Sequence, residues 1–277
     1  MSHIHIPDGV LPLWIILLGW AVTGGVLLYI SRRYVERELA RKLPLVGVMA
    51  ALMVVTQSIS LPPIGYHLNL TVLSSIILGP VLALIAAFLV NLILALFGHG
   101  GITVVGVNTF VFGTEMVLGY HLFHALRASP VPISSESANL LRQGLGVGVS
   151  AAAATMVSLL MSSLLMIGIV AASAIDPGWQ APHEPERLIL PNPTGGEPIV
   201  IETPRVEERE MPSLVAVQRF AVLVVLLGLI GWPIEALITG LIARYIYSIR
   251  PDLLEAAGSG RKQASSQKVI TRGHRKH

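Results

Sequence analysis

The chain has no cysteine in 277 residues, which excludes disulfides, thiolate metal sites and cysteine nucleophiles. Charge is scarce too. Asp, Glu, Lys and Arg together make up 13% of the residues, roughly half the share of a soluble domain. There is no Walker A phosphate loop, no His-Glu-x-x-His and no Gly-x-Ser-x-Gly. The chain is therefore not expected to be an enzyme, and any pump it serves must draw energy from another chain or from an ion gradient. No Lys or Arg precedes Val10 and no small-residue cleavage pattern follows the first apolar run, so no secretory signal is expected.

What fills the chain instead is apolar: 53% hydrophobic residues and a mean hydropathy of +0.71. The runs are long and do not alternate, and hydrocarbon tolerates no unpaired backbone. Spanning helices are thus expected rather than a barrel, and the fold class is an all-α, multi-pass integral membrane protein. Seven spans are predicted. They cover residues 10–30, residues 43–61, two short helices within 70–97, then 103 or 108 to 126, 144–175 and 214–247. The 70–97 stretch is too long for one span and too short for two, and Gly79-Pro80 divides it.

Charge fixes the expected orientation. Arg32, Arg33, Arg37, Arg41 and Lys42 follow the first span, and Arg250, Arg261, Lys262, Lys268, Arg272, Arg275 and Lys276 follow the last. By the positive-inside rule these are cytoplasmic and the amino terminus lies outside. The segment 176–213 is acidic and proline-rich, expected to be outside and extended or partly disordered. The division is a terminus at 1–9, membrane helices at 10–175, the acidic loop at 176–213, the last span at 214–250 and a basic cytoplasmic tail at 251–277, expected to be disordered.

Met1-Ser2-His3-Ile4-His5 carries the candidate chemistry. A free α-amine, backbone amides and an early imidazole can close adjacent chelate rings in a square plane, which suits nickel(II) or copper(II). In the expected topology this terminus meets two other segments, the turn containing His67 and the loop His99-Gly100-Gly101-Ile102-Thr103. The short third helix leaves room for the terminus to enter from outside. Gln57, Asn69, Asn91, Asn108, Thr109, Glu115 and Glu235 are polar residues expected at membrane depth, where they must pair or line a cavity. Asn69 and Asn108 can orient backbone or imidazole groups, whereas Asn91 and Gln57 serve equally well as interhelical hydrogen bonders. Glu115 and Glu235 suit structural pairing or a proton-linked relay. His121 and His124 share a helix face at the predicted inner end, expected to be interfacial side chains rather than an exit site. Gly144, Gly148 and Ala152 form a small-residue stripe for close helix approach, either within the chain or against another subunit. His274 and His277 are expected to be bystanders.

These residues resemble the NikM/CbiM family, the nickel and cobalt substrate-binding components of energy-coupling-factor transporters. The resemblance rests on His5-Ile6-Pro7-Asp8-Gly9 with Leu11-Pro12, and on His67-Leu68-Asn69-Leu70 followed by Leu78-Gly79-Pro80. Gly100-Gly101-Ile102-Thr103, Gly106-Val107-Asn108-Thr109 and Ile234-Glu235-Ala236-Leu237-Ile238-Thr239-Gly240 add to it, as does Arg250-Pro251-Asp252. The resemblance implies seven helices and a terminus folded into an outward pocket. It implies a square-planar ion held by the terminal amine, the amide and imidazole of the second residue, and His67, with Asn69, Thr103 and Asn108 shaping the pocket. It also implies a transmembrane coupling subunit, cytoplasmic ATPase subunits and often a small accessory membrane subunit.

One departure leaves the ligand set open. Family members typically begin Met-His-Ile-Pro-Asp-Gly, whereas Met1-Ser2-His3 stand before the matching stretch here. Removal of Met1 would make Ser2 the terminus and His3 the second residue, the preferred resolution. Retention of Met1 would make His3 the third residue, able to supply four nitrogens by itself. A different start would make His5 the ligand. The expected function is uptake of nickel(II), or cobalt(II), across a bacterial or archaeal inner membrane. The bilayer and those subunits are the expected partners, with no nucleic acid and no permanently bound cofactor. The rival reading is a self-contained secondary transporter or channel.

Overall fold

A computed structural model describes residues 6, 8–9, 11–33, 36–61, 66–127, 136–173, 187–190, 199–202 and 214–254. Met1, Ser2, His3 and His5 lie outside the described residues, as do His274 and His277. Among the described residues the chain forms seven α-helices: α1 (Leu13–Arg33), α2 (Glu36–Ser58), α3 (Thr71–Leu78), α4 (Pro80–Leu96), α5 (Val105–Arg127), α6 (Glu136–Ser173) and α7 (Leu214–Ile249). Two antiparallel ladders accompany them, β1 (Ser60–Leu61) with β2 (Tyr66–His67), and β3 (Arg187–Leu190) with β4 (Ile199–Glu202).

The helix ends follow local chemistry. Pro12 cannot donate, but its carbonyl accepts the amides of Ile15 and Ile16 at 3.1 and 3.3 Å and starts α1. Gly79, at φ 80°, closes α3 and hands over to α4, whose first residue is Pro80. The division of the 70–97 stretch therefore stands where the sequence reading put it. At eight residues, α3 rises only about 12 Å.

Three stretches, Leu13–Arg32, Gly144–Ser173 and Val217–Ile249, are long and apolar enough to cross a membrane by length and composition. Lys42–Ser58 and Pro80–Leu96 are shorter apolar helices. The helix α5 differs, for it carries Asn108, Thr109, Glu115, His121 and His124 and is buried along most of its length. It packs against α1, α3, α4 and α6 and forms the centre of the bundle.

Three expectations need correction. The helix α6 begins at Glu136, so the presumed loop up to residue 143 is partly helical. Polar residues around Arg142 and Gln143 hid that extension. The acidic segment contains the extended backbone expected of it, but β3 and β4 are paired in a ladder from Arg187 with Glu202 to Leu190 with Ile199, so these residues have fixed structure. The presumed tail starts with a helical turn at 251–254 that buries Leu254 beside Leu73, Phe123 and Ala243. An exposed Arg250 to Asp252 ion pair at 2.9 Å precedes that turn.

Glycines set two helix crossings. A Cβ on Gly106 would stand 2.7 Å from the backbone nitrogen of Trp20, and one on Gly240 would stand 2.6 Å from the carbonyl oxygen of Gly148. The Gly144, Gly148 and Ala152 stripe thus serves packing of α6 on α7. Gly106→Leu or Gly240→Leu is expected to destabilise the protein by about 3 kcal/mol or more through overpacking. Gly24→Ala, which meets nothing within 4 Å, should leave the melting temperature in detergent unchanged.

Candidate metal site

The segment after the amino terminus is folded into the bundle rather than lying free. Ile6 is 2% exposed and packs with Leu11, Ile15, Val104 and Val107. Its backbone is held on both sides: the amide donates to Asn108 Oδ1 at 3.3 Å, and the carbonyl accepts Asn108 Nδ2 at 3.4 Å and the Gly101 amide at 3.3 Å. One amide side chain on α5 thus reads one residue of the terminal segment as a neighbouring strand would.

Asp8 makes the second anchor. Its carboxylate accepts the amides of Ile102 at 3.0 Å and Thr103 at 2.9 Å, and the hydroxyl of Thr103. These amides precede α5, where the helix dipole favours a negative group, and bonds to an ionised acceptor are the stronger kind. A Cβ on Gly101 would collide with the Asp8 backbone and carboxylate, so glycine is required there. Gly98 and Gly100, at φ 78° and 95°, shape the turn that presents exposed His99.

His67 is fixed from a different direction. It pairs with Ser60 in the two-residue ladder between β1 and β2, and its imidazole is hydrogen-bonded to the backbone of Gln57 at the end of α2. Burial, with a contribution from the charge of His99, holds the imidazole below its ordinary range, while the bond to Gln57 opposes this. A neutral ring is the form that ligates a metal, so protons compete less here than at a free histidine.

The helix α5 brings the two segments onto one scaffold. Thr71, four residues after His67, donates to Glu115, while Ile6 is gripped by Asn108. Asn108 and Glu115 are close to two turns apart, on one face of α5 and separated by about 10 Å. His67 and the residues before Ile6 are each only a few residues from those anchors. Asn69 is buried, with its side-chain Nδ2 unpaired, and Thr103 is committed to Asp8.

The remaining candidates fall elsewhere. Asn91 donates to Ala87 on its own helix at 2.8 Å rather than across an interface, and the side-chain N and O of Gln57 are buried without a partner. His121 is exposed, its Nδ1 2.7 Å from the Val117 carbonyl, and His124 packs 4.4 Å from the Tyr120 ring. Among the described residues no group of three potential metal ligands is assembled, His3 and His5 being outside them. The sequence reading missed the work of Asp8 and Ile6. The signal for it was an acidic residue preceding Gly9 with no basic residue nearby, opposite a glycine-rich loop with free amides. Asp8→Ala is expected to accelerate hydrogen exchange of the Ile102 and Thr103 amides by about tenfold or more, and Asn108→Ala to do so at Ile6.

Comparison with known proteins gives a consistent result. A Haloquadratum walsbyi protein named for metal transport is 35% identical over 186 residues, 60% of this chain and 84% of its own length. A Methanosphaerula palustris protein named for cobalt transport is 31% identical over 131 residues, 45% of this chain and 57% of its own. The crystal structure of a transition metal transporter, 20% identical, covers 93% of this chain and 98% of its own with a TM-score of 0.59, and so shares the fold. Residues 5–253 match CbiM, described as a cobalt uptake substrate-specific transmembrane region. The chain belongs to the CbiM family, a family of transmembrane metal-uptake components rather than enzymes.

Proposed function

We propose that this protein is the metal-capturing membrane subunit of a bacterial or archaeal importer for nickel(II), with cobalt(II) as the alternative substrate. Cytoplasmic ATPase subunits supply the energy through a transmembrane coupling subunit, with a small accessory membrane subunit in the assembly. The observation that carries this reading is the docking of Ile6 and Asp8 onto Asn108 and the 101–103 loop. An anchored Ile6 and Asp8 support the reading that the residues immediately before them act at the bundle rather than as a free tail.

There the ion is held by the terminal amine, a backbone amide, the imidazole of His3, and His67, with His5 taking the place of His3 if the mature start differs. The first three come from the amino-terminal end and His67 from the turn before α3, so the site joins two segments far apart in sequence. Square-planar nitrogen coordination favours nickel(II) over ions that prefer oxygen or tetrahedral sites. Asn69, Thr103 and Asn108 shape the surrounding pocket. Movement against the coupling subunit then opens the site inward.

Titration calorimetry of the purified chain with nickel and cobalt tests the site. His67→Ala is expected to bind about 100-fold or more weakly, a loss of close to 3 kcal/mol, whereas unchanged tight binding would remove His67 from it. Copurification tests the assembly. Stable association with ATPase subunits and ATP-dependent metal accumulation are expected, and flux through this chain alone in liposomes would contradict the proposal.

A further inference from the structure

Among the described residues two carboxylates are fully buried, Glu115 at 0% and Glu235 at 1% exposure. A carboxylate at such depth is costly unless its oxygens are occupied. Both spend oxygens on consecutive residues of one turn. Glu235, on α7, accepts the amide of Leu70 at 3.2 Å, and Glu115, on α5, accepts the hydroxyl of Thr71 and, at 2.7 Å, that of Ser162 on α6.

That turn needs support from outside. Leu70 has φ 52° and ψ 23°, and it is the single non-glycine residue with positive φ among the described residues. A left-handed conformation brings the Cβ of an L-residue too close to the following carbonyl oxygen and is held only with outside support. The helix α3 begins there without a side-chain cap of its own, and its first turn contains no acidic residue. Glu235 of α7 thus satisfies the Leu70 amide, as a residue of a local capping box would have done, and Glu115 of α5 holds Thr71 through its hydroxyl.

The turn lies three residues beyond His67, whose own strand is pinned to Ser60. We infer that Glu235 and Glu115 are positioning residues that lock Leu70 and Thr71 and thereby fix the His67 imidazole in the orientation in which it ligates the metal ion. Releasing Leu70 would let the chain relax toward ordinary backbone angles and turn the 67–70 segment. The same bonds tie the His67 side of the site to α5, α6 and α7, so a shift of α7 against α5 would be felt at the ligand. This inference rests on the reading of His67 as a ligand.

The test uses the full chain in detergent, read by nickel affinity, by the ligand-field absorption spectrum and by the metal-free melting temperature. Glu235→Ala is expected to weaken nickel binding about tenfold or more and to alter the square-planar spectrum. Glu235→Gln, whose amide oxygen can still accept the Leu70 amide, should remain within about threefold of wild type with an unchanged spectrum. Asn91→Ala removes a comparably buried polar group that bonds only within α4, and should lower the melting temperature without changing affinity or spectrum. If Glu235→Ala does not fold, Thr71→Val deletes only the hydroxyl held by Glu115 and should weaken binding by about threefold.

Wild-type affinity and spectrum in a folded Glu235→Ala protein would overturn the inference, as would an equal loss of affinity in Asn91→Ala. The proposed function fails separately, by absence of nickel binding in the wild type or by wild-type binding in His67→Ala. The positioning role is then read without metal. Carbethoxylation of His67 should be faster in Glu235→Ala than in wild type, and an unchanged rate would overturn it.

Discussion

The structure depends on where a chain with only 13% charged residues places the polar groups it buries. The helix α5 contributes to this by turning polar residues toward the terminal segment, the start of α3 and α6. Asn108 pairs with both backbone groups of Ile6, and Glu115 holds Thr71 and Ser162. An apolar α5 would pack as well against α1, α4 and α6 but could specify neither the docking of the terminal segment nor the start of α3. Polar satisfaction here acts less as general stabilisation than as a statement of where two loops must sit.

The same constraint explains why the bundle is irregular at the end that receives the terminal segment. The helix α3 is too short to span a bilayer, and the turn before it is buried rather than solvated. Buried backbone outside a helix must find partners, and it finds them in the Ser60 ladder, in Glu235 and in the hydroxyl of Ser74 on α3, which donates to the Leu70 carbonyl. The close α1 to α5 and α6 to α7 crossings at glycines leave the packing little slack, which keeps those partners in register.

Much of the helical framework was legible in the sequence because hydropathy and proline placement act locally. Gly79-Pro80 announced the break between α3 and α4, and the apolar runs located the remaining helices to within a few residues, apart from the early starts of α2 and α6. The amino end of α6 was not legible, because a polar turn such as Glu136-Ser137-Ala138-Asn139 has no apolar period to mark it. The β1 to β2 ladder is two residues long and leaves no alternation to read. The strands β3 and β4 did leave a trace, in Leu188-Ile189-Leu190 and Ile199-Val200-Ile201, which the surrounding prolines and acids obscured. At the site, His67, Asn69, Thr103 and Asn108 were nameable from residue type. The partners of Asp8, Glu115 and Glu235 were not, since each lies at least 44 residues away in sequence.

Membership of the CbiM family makes transition metal uptake the frame, and the specific chemistry proposed within it is that of the terminal segment. The central claim is that the terminus itself ligates the ion through its amine and a deprotonated amide. The most direct measurement is the number of protons released per nickel ion bound, from titrations at pH 6.5 in buffers of different ionisation enthalpy. The amine, with an ordinary pKa of about 7.7–8.0, and one amide should together release about two protons, or about three if Met1 is retained and His3 is the third residue. Release of about one proton or fewer, the most that two imidazoles of ordinary pKa alone would give at this pH, would contradict the account.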